Sequence, residues 1–457
     1  MDSAGVNLTR GVCGGIVIDK RVEAKEVAVR HLRTPILVVL LSLGLWVPLH
    51  GAELATTTPQ SVGLDAARIQ RVTELFSDYV DSGKLPGTVA LIARHGRIAY
   101  SSSLGVKDVA SGSPMTDDTI FRIYSMTKPI TTVAAMTLYE EGKFLLDDPV
   151  AKYIPELEGL QVLVGDETGG AELVDPVRPI TIQDLMRHTS GFTYGVFGDT
   201  MVDRMYRDAG MMGGDVPLSE FITKLSKLPL LYQPGTHWQY GVSVDVLGYL
   251  IEVLSGQTLD RFLAERVFVP LDMRDTGFYV PAEKLSRFAT CYSPDRDAAK
   301  GNEHLPLKAI DEPSTSDYAK MPRFLSGGGG LVSTARDYAR FLQMLLNGGE
   351  LDGRRILGPS TVAFMTRNQL PADALRRNPL RGAGFGLGFA VVLDGPATGV
   401  LNSEGEYNWG GYASTEFWVD PEEDLFAIFM TQLIPSGTYP LKNEFKVALY
   451  QALESEP

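Results

Sequence analysis

The sequence predicts a mixed α/β fold: an antiparallel sheet flanked by helices, assembled from both chain ends, with an all-helical domain inserted between them. Three observations carry this. Strand-like runs stand at 88–93 and 97–102 near the start, others at 411–419 and 425–431 near the end, and helical spacing broken by glycine and proline fills the middle. The expected division is 59–145 with 315–457 for the sheet domain, 146–314 for the mostly helical one, and 1–58 as a leader outside the fold. A chain of 457 residues, 44% of them hydrophobic, has material for two or three ordinary cores.

The leader poses a targeting question. Residues 36–47 form an apolar run behind Arg30 and Arg33 and ahead of Gly51-Ala52, as in the core of a signal peptide, and too short for a membrane span. Against this stand the acidic residues Asp2, Asp19, Glu23 and Glu26, and His50 just before the small residues. If residues 36–52 act as a signal, the protein is periplasmic or secreted, and otherwise cytoplasmic. Neither outcome leaves a stable membrane insertion in the mature chain.

The folded body opens with a helix, because Ile69, Val72, Leu75, Phe76, Tyr79 and Val80 recur at helical spacing behind the potential cap Asp65. The runs 88–93 and 97–102, separated by His95-Gly96, read as a hairpin. A helix over 125–138 follows. In the middle, Thr181 with Asp184 three residues on forms a capping pattern for a short helix at 181–188, and 221–228, 244–254 and 259–267 are further helices. The glycine-rich loop 189–217 between them is placed to wall a cleft, or to run over the surface. Strands at 330–333, 386–392, 411–419 and 425–431 and a helix at 442–453 complete the body.

The formal charge of −14, from 42 basic against 56 acidic residues, repels phosphate backbones, so no nucleic-acid partner is expected. Cys13 and Cys291 are the only cysteines, which excludes a disulfide framework or a thiolate metal site. None of the six histidines shows metal-ligand spacing. The cluster 327–330 lacks the Lys-Ser or Lys-Thr of a phosphate loop and reads as close backbone packing. No metal and no cofactor are expected, and the sequence specifies no oligomeric state.

The chemistry begins with Ser125-Met126-Thr127-Lys128. One helical turn puts the hydroxyl and the amine on one face. Serine is a poor nucleophile until a base takes its proton, and lysine can be that base only where its pKa falls from about 10.4. Free N–H groups at the start of a helix favour the negative charge that develops. Taken alone, the pair reads more readily as a cap residue and a solvated lysine. Tyr240 lies in a loop leading into a helix, where a phenol could pass the proton to the departing alcohol, or simply be a half-buried loop tyrosine. Trp409-Gly410-Gly411, expected at the start of a strand, would let backbone approach a substrate, with the Tyr412 N–H as a second donor to an oxyanion beside that of Ser125.

Ser125-Met126-Thr127-Lys128, His188-Thr189-Ser190-Gly191, Pro234-Gly235-Thr236 with Tyr240, Gly327-Gly328-Gly329-Gly330-Leu331 and Trp409-Gly410-Gly411 stand in one order. In that order the chain resembles the class C β-lactamase and penicillin-binding-protein superfamily over 61–453, and within it most closely the family VIII carboxylesterases. The resemblance implies a β-lactamase/transpeptidase-like fold with the serine between the two domains. It also implies that His188 is structural. Lactamases of this class carry Tyr-x-Asn where this chain has Tyr240-Gly241-Val242, and Lys-Thr-Gly where it has Trp409-Gly410-Gly411. An indole in place of the lysine leaves a β-lactam carboxylate unpaired but packs well on a neutral ester. The nucleophile elbow Gly-x-Ser-x-Gly is absent around Ser125. The near miss 241–245 lacks its last glycine, which argues against Ser243 as nucleophile.

The expected activity is therefore hydrolysis of short-chain carboxylic esters through an acyl-enzyme on Ser125, with Lys128 and Tyr240 moving the proton. Trp409, Gly410, Gly411 and Val242 are expected to contact the small-molecule substrate, and weak cephalosporin turnover is an expected side activity. The alternatives are acyl transfer to a small-molecule alcohol, a β-lactamase, and a non-catalytic β-lactam-binding protein.

Overall fold

A computed structural model describes residues 53–166, 169–211, 214–295 and 305–454, so the apolar run 36–47 and most of the expected leader lie outside the described residues. Helix α1 (Ala66–Asp81) starts where Asp65 accepts hydrogen bonds from the N–H groups of Ala67 and Arg68, at 2.8 and 2.9 Å. Its buried residues Ile69, Val72, Phe76 and Tyr79 keep the predicted spacing. Strands β1 (Gly87–Arg94) and β2 (Arg97–Asp108) follow, turning at His95 and Gly96, both at positive φ, 53° and 71°. Two consecutive left-handed residues give the hairpin turn whose twist matches the strands.

Six further strands complete the sheet: β3 (Ser113–Pro114), β4 (Ala383–Phe385), β5 (Ala390–Val392), β6 (Tyr407–Gly411), β7 (Thr415–Asp420) and β8 (Leu425–Met430). Their order is β4-β5-β6-β7-β8-β1-β2-β3, with every pair antiparallel. The sheet is thus built from both ends of the chain, joined where β1 pairs with β8, Val89 opposite Met430 and Leu91 opposite Ile428. Both faces are covered. Val89, Leu91, Phe417, Phe426 and Ile428 join the larger core, while Ala90, Ile92, Trp418, Ala427 and Phe429 face α1 and the last helix, α9 (Leu441–Tyr450). Phe76 of α1 sits 5.2 Å from Phe445 of α9, ring to ring, which locks these helices together over the sheet.

Between the chain ends come α2 (Thr127–Glu140), α3 (Ile182–Met186), α4 (Met201–Asp208), α5 (Leu218–Leu225), α6 (Ser243–Ser255) and α7 (Leu259–Leu263). Helix α2 is the central one, with its residues buried from Thr127 to Leu138. Thr181 and Asp184 form the expected capping box, and Arg178 and Arg187 pair with the Asp184 carboxylate at 2.5 and 2.9 Å.

The structure departs from the sequence reading in several places, among them a two-stranded hairpin, Val162–Asp166 with Gly170–Val174, inside the stretch expected to be all-helical. The stretch 189–217 is not all loop, since α4 forms inside it on a second capping box, Thr200 with Asp203. The run 386–392 is not one strand, because Gly386 and Phe389 close a tight turn between β4 and β5. The run 411–419 is broken by a turn in which Ser414 takes φ 60° and donates its N–H to the Gly411 carbonyl. Trp409-Gly410-Gly411 therefore ends a strand rather than starting one. Finally, helix α8 (Ala335–Leu346), capped by Thr334 and packed on the larger core, has no counterpart in the predicted elements.

Candidate active site

Two helix starts converge on one point. Ser125 lies in a 3-10 turn (Tyr124–Met126) that runs into α2, and Lys128 is the second residue of that helix. Tyr124, just before the serine, is held at φ 41°, a left-handed conformation that costs a non-glycine residue about 1–2 kcal/mol and persists only where packing imposes it. Tyr240 stands three residues ahead of α6. The Tyr240 hydroxyl donates to Ser125 Oγ at 2.6 Å, and Lys128 Nζ donates to the same oxygen at 3.2 Å. The amine is buried, donates to the Gly328 carbonyl at 2.5 Å, and lies 4.6 Å from the Tyr240 ring centre and 5.3 Å from that of Tyr194.

Around this triangle lies a cavity of about 1630 Å³, lined among others by Tyr194, Phe197, Trp238, Trp409 and Tyr412. Trp409 packs against Tyr240 at 5.4 Å and against Phe385 at 5.2 Å, centroid to centroid. Gly410 leaves room for Glu416 across the strands, since a Cβ there would lie 2.4 Å from its carboxyl carbon. Gly411 is pressed to the Ile123 carbonyl, 2.4 Å from where its Cβ would be, so only glycine lets β6 close on the nucleophile's turn. Tyr412 lies in the β6–β7 turn, and among the described residues its N–H has no hydrogen-bond partner.

Val242 does not join them. It is fully buried at the head of α6, inside the larger core, so the expectation that it contacts substrate is corrected: the turn into α6 points this side chain inward. Ser243 is also buried and shares a hydrogen bond with the Ser190 hydroxyl at 2.8 Å, away from the cavity, in keeping with its rejection as nucleophile.

The sequence reading missed Tyr194 and Asp245. Asp245, in the first turn of α6, is buried and accepts from Ser326 Oγ at 2.5 Å and from the Gly328 N–H at 3.0 Å. Burial pushes its carboxyl above the usual range, opposed by the positive charge of Lys128 and by these donors. The Tyr194 hydroxyl is held well above the ordinary phenol value by burial and then by the Asp245 carboxylate. His188 is buried at φ 57° with its ring 4.9 Å from that of Tyr240; burial and then Lys128 hold it neutral, far below the usual imidazole value. The signal for Asp245 was its place five residues after Tyr240, on the helix that Tyr240 precedes.

A serine hydroxyl with an amine and a phenol on its oxygen, beside a cavity walled in part by aromatic rings, is equipped for acyl transfer. Comparison with known proteins agrees. The family model described as beta-lactamase matches residues 72–452. An uncharacterized protein of Mycobacterium tuberculosis is 37% identical over 366 residues, covering 78% of this chain and 88% of its own length. Esterase EstB of Burkholderia gladioli is 33% identical over 410 residues, covering 87% of this chain and 99% of its own. Among solved structures, EstCE1, described as a hydrolase with promiscuous acyltransferase activity, superimposes with a TM-score of 0.70 at 28% identity, covering 86% of this chain and 99% of its own. With nearly the whole described body matched in sequence and in fold, the chain belongs to the beta-lactamase family.

Proposed function

We propose that the protein is a carboxylesterase that cleaves neutral esters of small carboxylic acids through an acyl-enzyme on Ser125. The observation that carries this is the pair of donors on one oxygen, Tyr240 at 2.6 Å and Lys128 at 3.2 Å. As Ser125 Oγ attacks the ester carbonyl, its proton passes to the Lys128–Tyr240 pair. The N–H groups of Ser125 and Tyr412 take the charge of the tetrahedral oxyanion. Tyr240, facing the cavity, returns the proton to the leaving alcohol. Water then enters along the same path and attacks the acyl carbon while giving a proton to the pair; the bond from that carbon to Ser125 Oγ breaks, the pair returns the proton to Oγ, and the acid leaves. Trp409 offers the substrate an apolar wall, which suits a neutral ester. The similarity to esterase EstB supports the choice of ester over β-lactam.

The decisive experiment measures turnover of p-nitrophenyl acetate and butyrate by the wild type and by Ser125→Ala. Activity confined to the wild type is expected, and undiminished turnover by the purified variant would refute the assignment of the nucleophile.

A second reading, transfer of the acyl group to an alcohol, is favoured by the cavity volume of about 1630 Å³. That exceeds the ~300–1,000 Å³ of most small-molecule pockets and leaves room for an acceptor beside an acyl chain. Added alcohols decide between the two: ester product rising with alcohol concentration supports transfer, and free acid alone at every concentration excludes it.

A further inference from the structure

Gly328 holds two charged side chains at once. Its carbonyl accepts the Lys128 amine at 2.5 Å, and its N–H donates to Asp245 Oδ1 at 3.0 Å. The residue must be glycine, because a Cβ would lie 2.6 Å from Asp245 Oδ2 and 2.8 Å from the Tyr194 hydroxyl oxygen. Ser326, two residues earlier, donates to the same Asp245 oxygen at 2.5 Å. The carboxylate is buried, and its place in the first turn of α6 puts it in the positive end of the helix field. A buried anion with no direct contact to the nucleophile, yet tied through one residue to the amine that touches it, is costly unless it balances another buried charge. Among the described residues, the amine that bears on it is the buried one of Lys128.

We propose that Asp245 is the positioning residue for Lys128: through Gly328, held by its N–H on one side and its carbonyl on the other, it sets where the amine stands, and its negative charge is the counter-charge of that amine during proton transfer from Ser125. The proposal rests on the acyl-transfer reading of Ser125. Four titratable groups bear on it from the elements packed around the site: Lys128 on α2, Tyr194 in the stretch before α4, Tyr240 ahead of α6, and His188 behind Lys128. His188 is neutral and Tyr194 keeps its proton, so the balance is struck between Asp245 and the Lys128–Tyr240 pair. An anion beside a cation favours the cation's charged form, and removing the anion favours its neutral form.

Asp245→Asn separates this from a structural role. Asparagine keeps an oxygen to accept the Ser326 and Gly328 donors but removes the charge. The expected result is that the acid limb of the kcat profile moves to lower pH by about one unit or more, with KM for p-nitrophenyl butyrate changed by less than about threefold. Ser326→Ala, which removes one of the donors that stabilise the carboxylate, is expected to move the limb the same way by a smaller amount. It serves as the test if the asparagine variant does not fold. An unmoved limb in the folded asparagine variant, or in Ser326→Ala where that is the only folded one, overturns the proposal. The rate of Ser125 labelling by a fluorophosphonate, followed by intact mass across the same pH range, needs no ester. If the wild type turns over no ester while its labelling profile shifts in the variant as described, the esterase reading fails and the role of Asp245 stands. A labelling profile that does not shift overturns the role of Asp245 whatever the ester turnover.

Discussion

Tyr240 and Ser125 are separated by 115 positions in the chain and by 2.6 Å between their side-chain oxygens. The contact joins the turns ahead of two helices, α2 and α6, that also pack on each other, so the shared core fixes the distance between the two hydroxyls. Precise placement of this kind is what converts a weak nucleophile into an effective one. If Lys128 and Tyr240 act as one proton-transfer pair, their removal is not additive. Lys128→Ala and Tyr240→Phe should each lower kcat about 10²–10⁴-fold with little change in KM, and the double variant should be hardly slower than either. Steady-state kinetics of the three proteins checks this, and a product of independent effects in the double variant counts against a shared role.

How far the site was legible depended on chain distance. Ser125 and Lys128 lie one helical turn apart, so local geometry alone put hydroxyl and amine together. Tyr240 could be nominated from its loop, but its partnership with Ser125 rests on how α2 and α6 pack, which spacing does not encode. Asp245 was hidden for the opposite reason: it lies within a near-miss elbow, a pattern that singles out its serine, Ser243, rather than the aspartate. The sheet was legible from its end strands because β1 and β8 carry uninterrupted apolar runs. The break at Gly411 was not, since it depends on Ser414 adopting a left-handed conformation that its residue type does not announce. The burial of Val242 likewise follows from the direction of a turn.

Phe197 should act on substrate size. It is 61% exposed at the cavity edge, with its ring 5.5 Å from that of Tyr240, and Arg207 pins its loop by donating to the Gly195 and Gly198 carbonyls. An exposed ring held against the reacting face offers apolar surface to a longer acyl chain. Phe197→Ala should raise KM for p-nitrophenyl octanoate by about three- to tenfold, the effect of losing roughly 1 kcal/mol of apolar contact, and leave acetate nearly unchanged. Equal changes on both esters would place its role elsewhere.

His188 makes stability fall in acid. Folded, the buried ring stays neutral because its affinity for a proton is far below the ordinary 6.5; unfolded, it takes a proton near that value. The unfolded state therefore binds the extra proton below about pH 6.5, and stability present above that pH is lost as pH drops, by up to about 1.4 kcal/mol per unit for this one group. Neither ring nitrogen has a partner among the described residues, so His188→Phe removes the titration without breaking a hydrogen bond. Urea midpoints at pH 7.5, 6.5 and 5.5 should fall less steeply for the variant than for the wild type. Parallel slopes would assign the acid sensitivity to other groups.

Cys291 should be inert while the protein is folded. Its thiol is buried beside Arg122 and Asp311, and burial pushes it up to about 11, leaving almost no thiolate at neutral pH. A disulfide-exchange reagent such as DTNB should leave Cys291 unmodified in native protein and label it in guanidinium, and esterase activity should be unaffected by prior exposure. Native labelling at the rate of a free thiol would contradict its placement in the core.

The nature of the residue at 409 decides how β-lactams should fare. The Trp409 indole lies among Tyr240, Phe385 and Trp238, with ring distances of 5.4, 5.2 and 6.3 Å, so the place where lactamases of this class carry a lysine is here an aromatic wall. A penicillin or cephalosporin bound with its strained carbonyl at Ser125 would bring its carboxylate to that wall without a cation to meet it. Such a missing charged contact costs about 1–3 kcal/mol or more once the group is desolvated, enough for about two decades in kcat/KM. Val242, buried in the core where such lactamases carry an asparagine, likewise offers no amide to the drug's side-chain carbonyl. Both differences lead to one expectation: nitrocefin and cephalothin are turned over weakly at most, and far less efficiently than p-nitrophenyl butyrate in one preparation. Trp409→Lys should raise efficiency on the carboxylate-bearing drugs by about tenfold or more and lower it on the neutral ester, whose apolar wall is lost. Better turnover of the drugs than of the ester by the wild type, or a folded variant with no gain on them, would show that the indole is not what keeps β-lactams out.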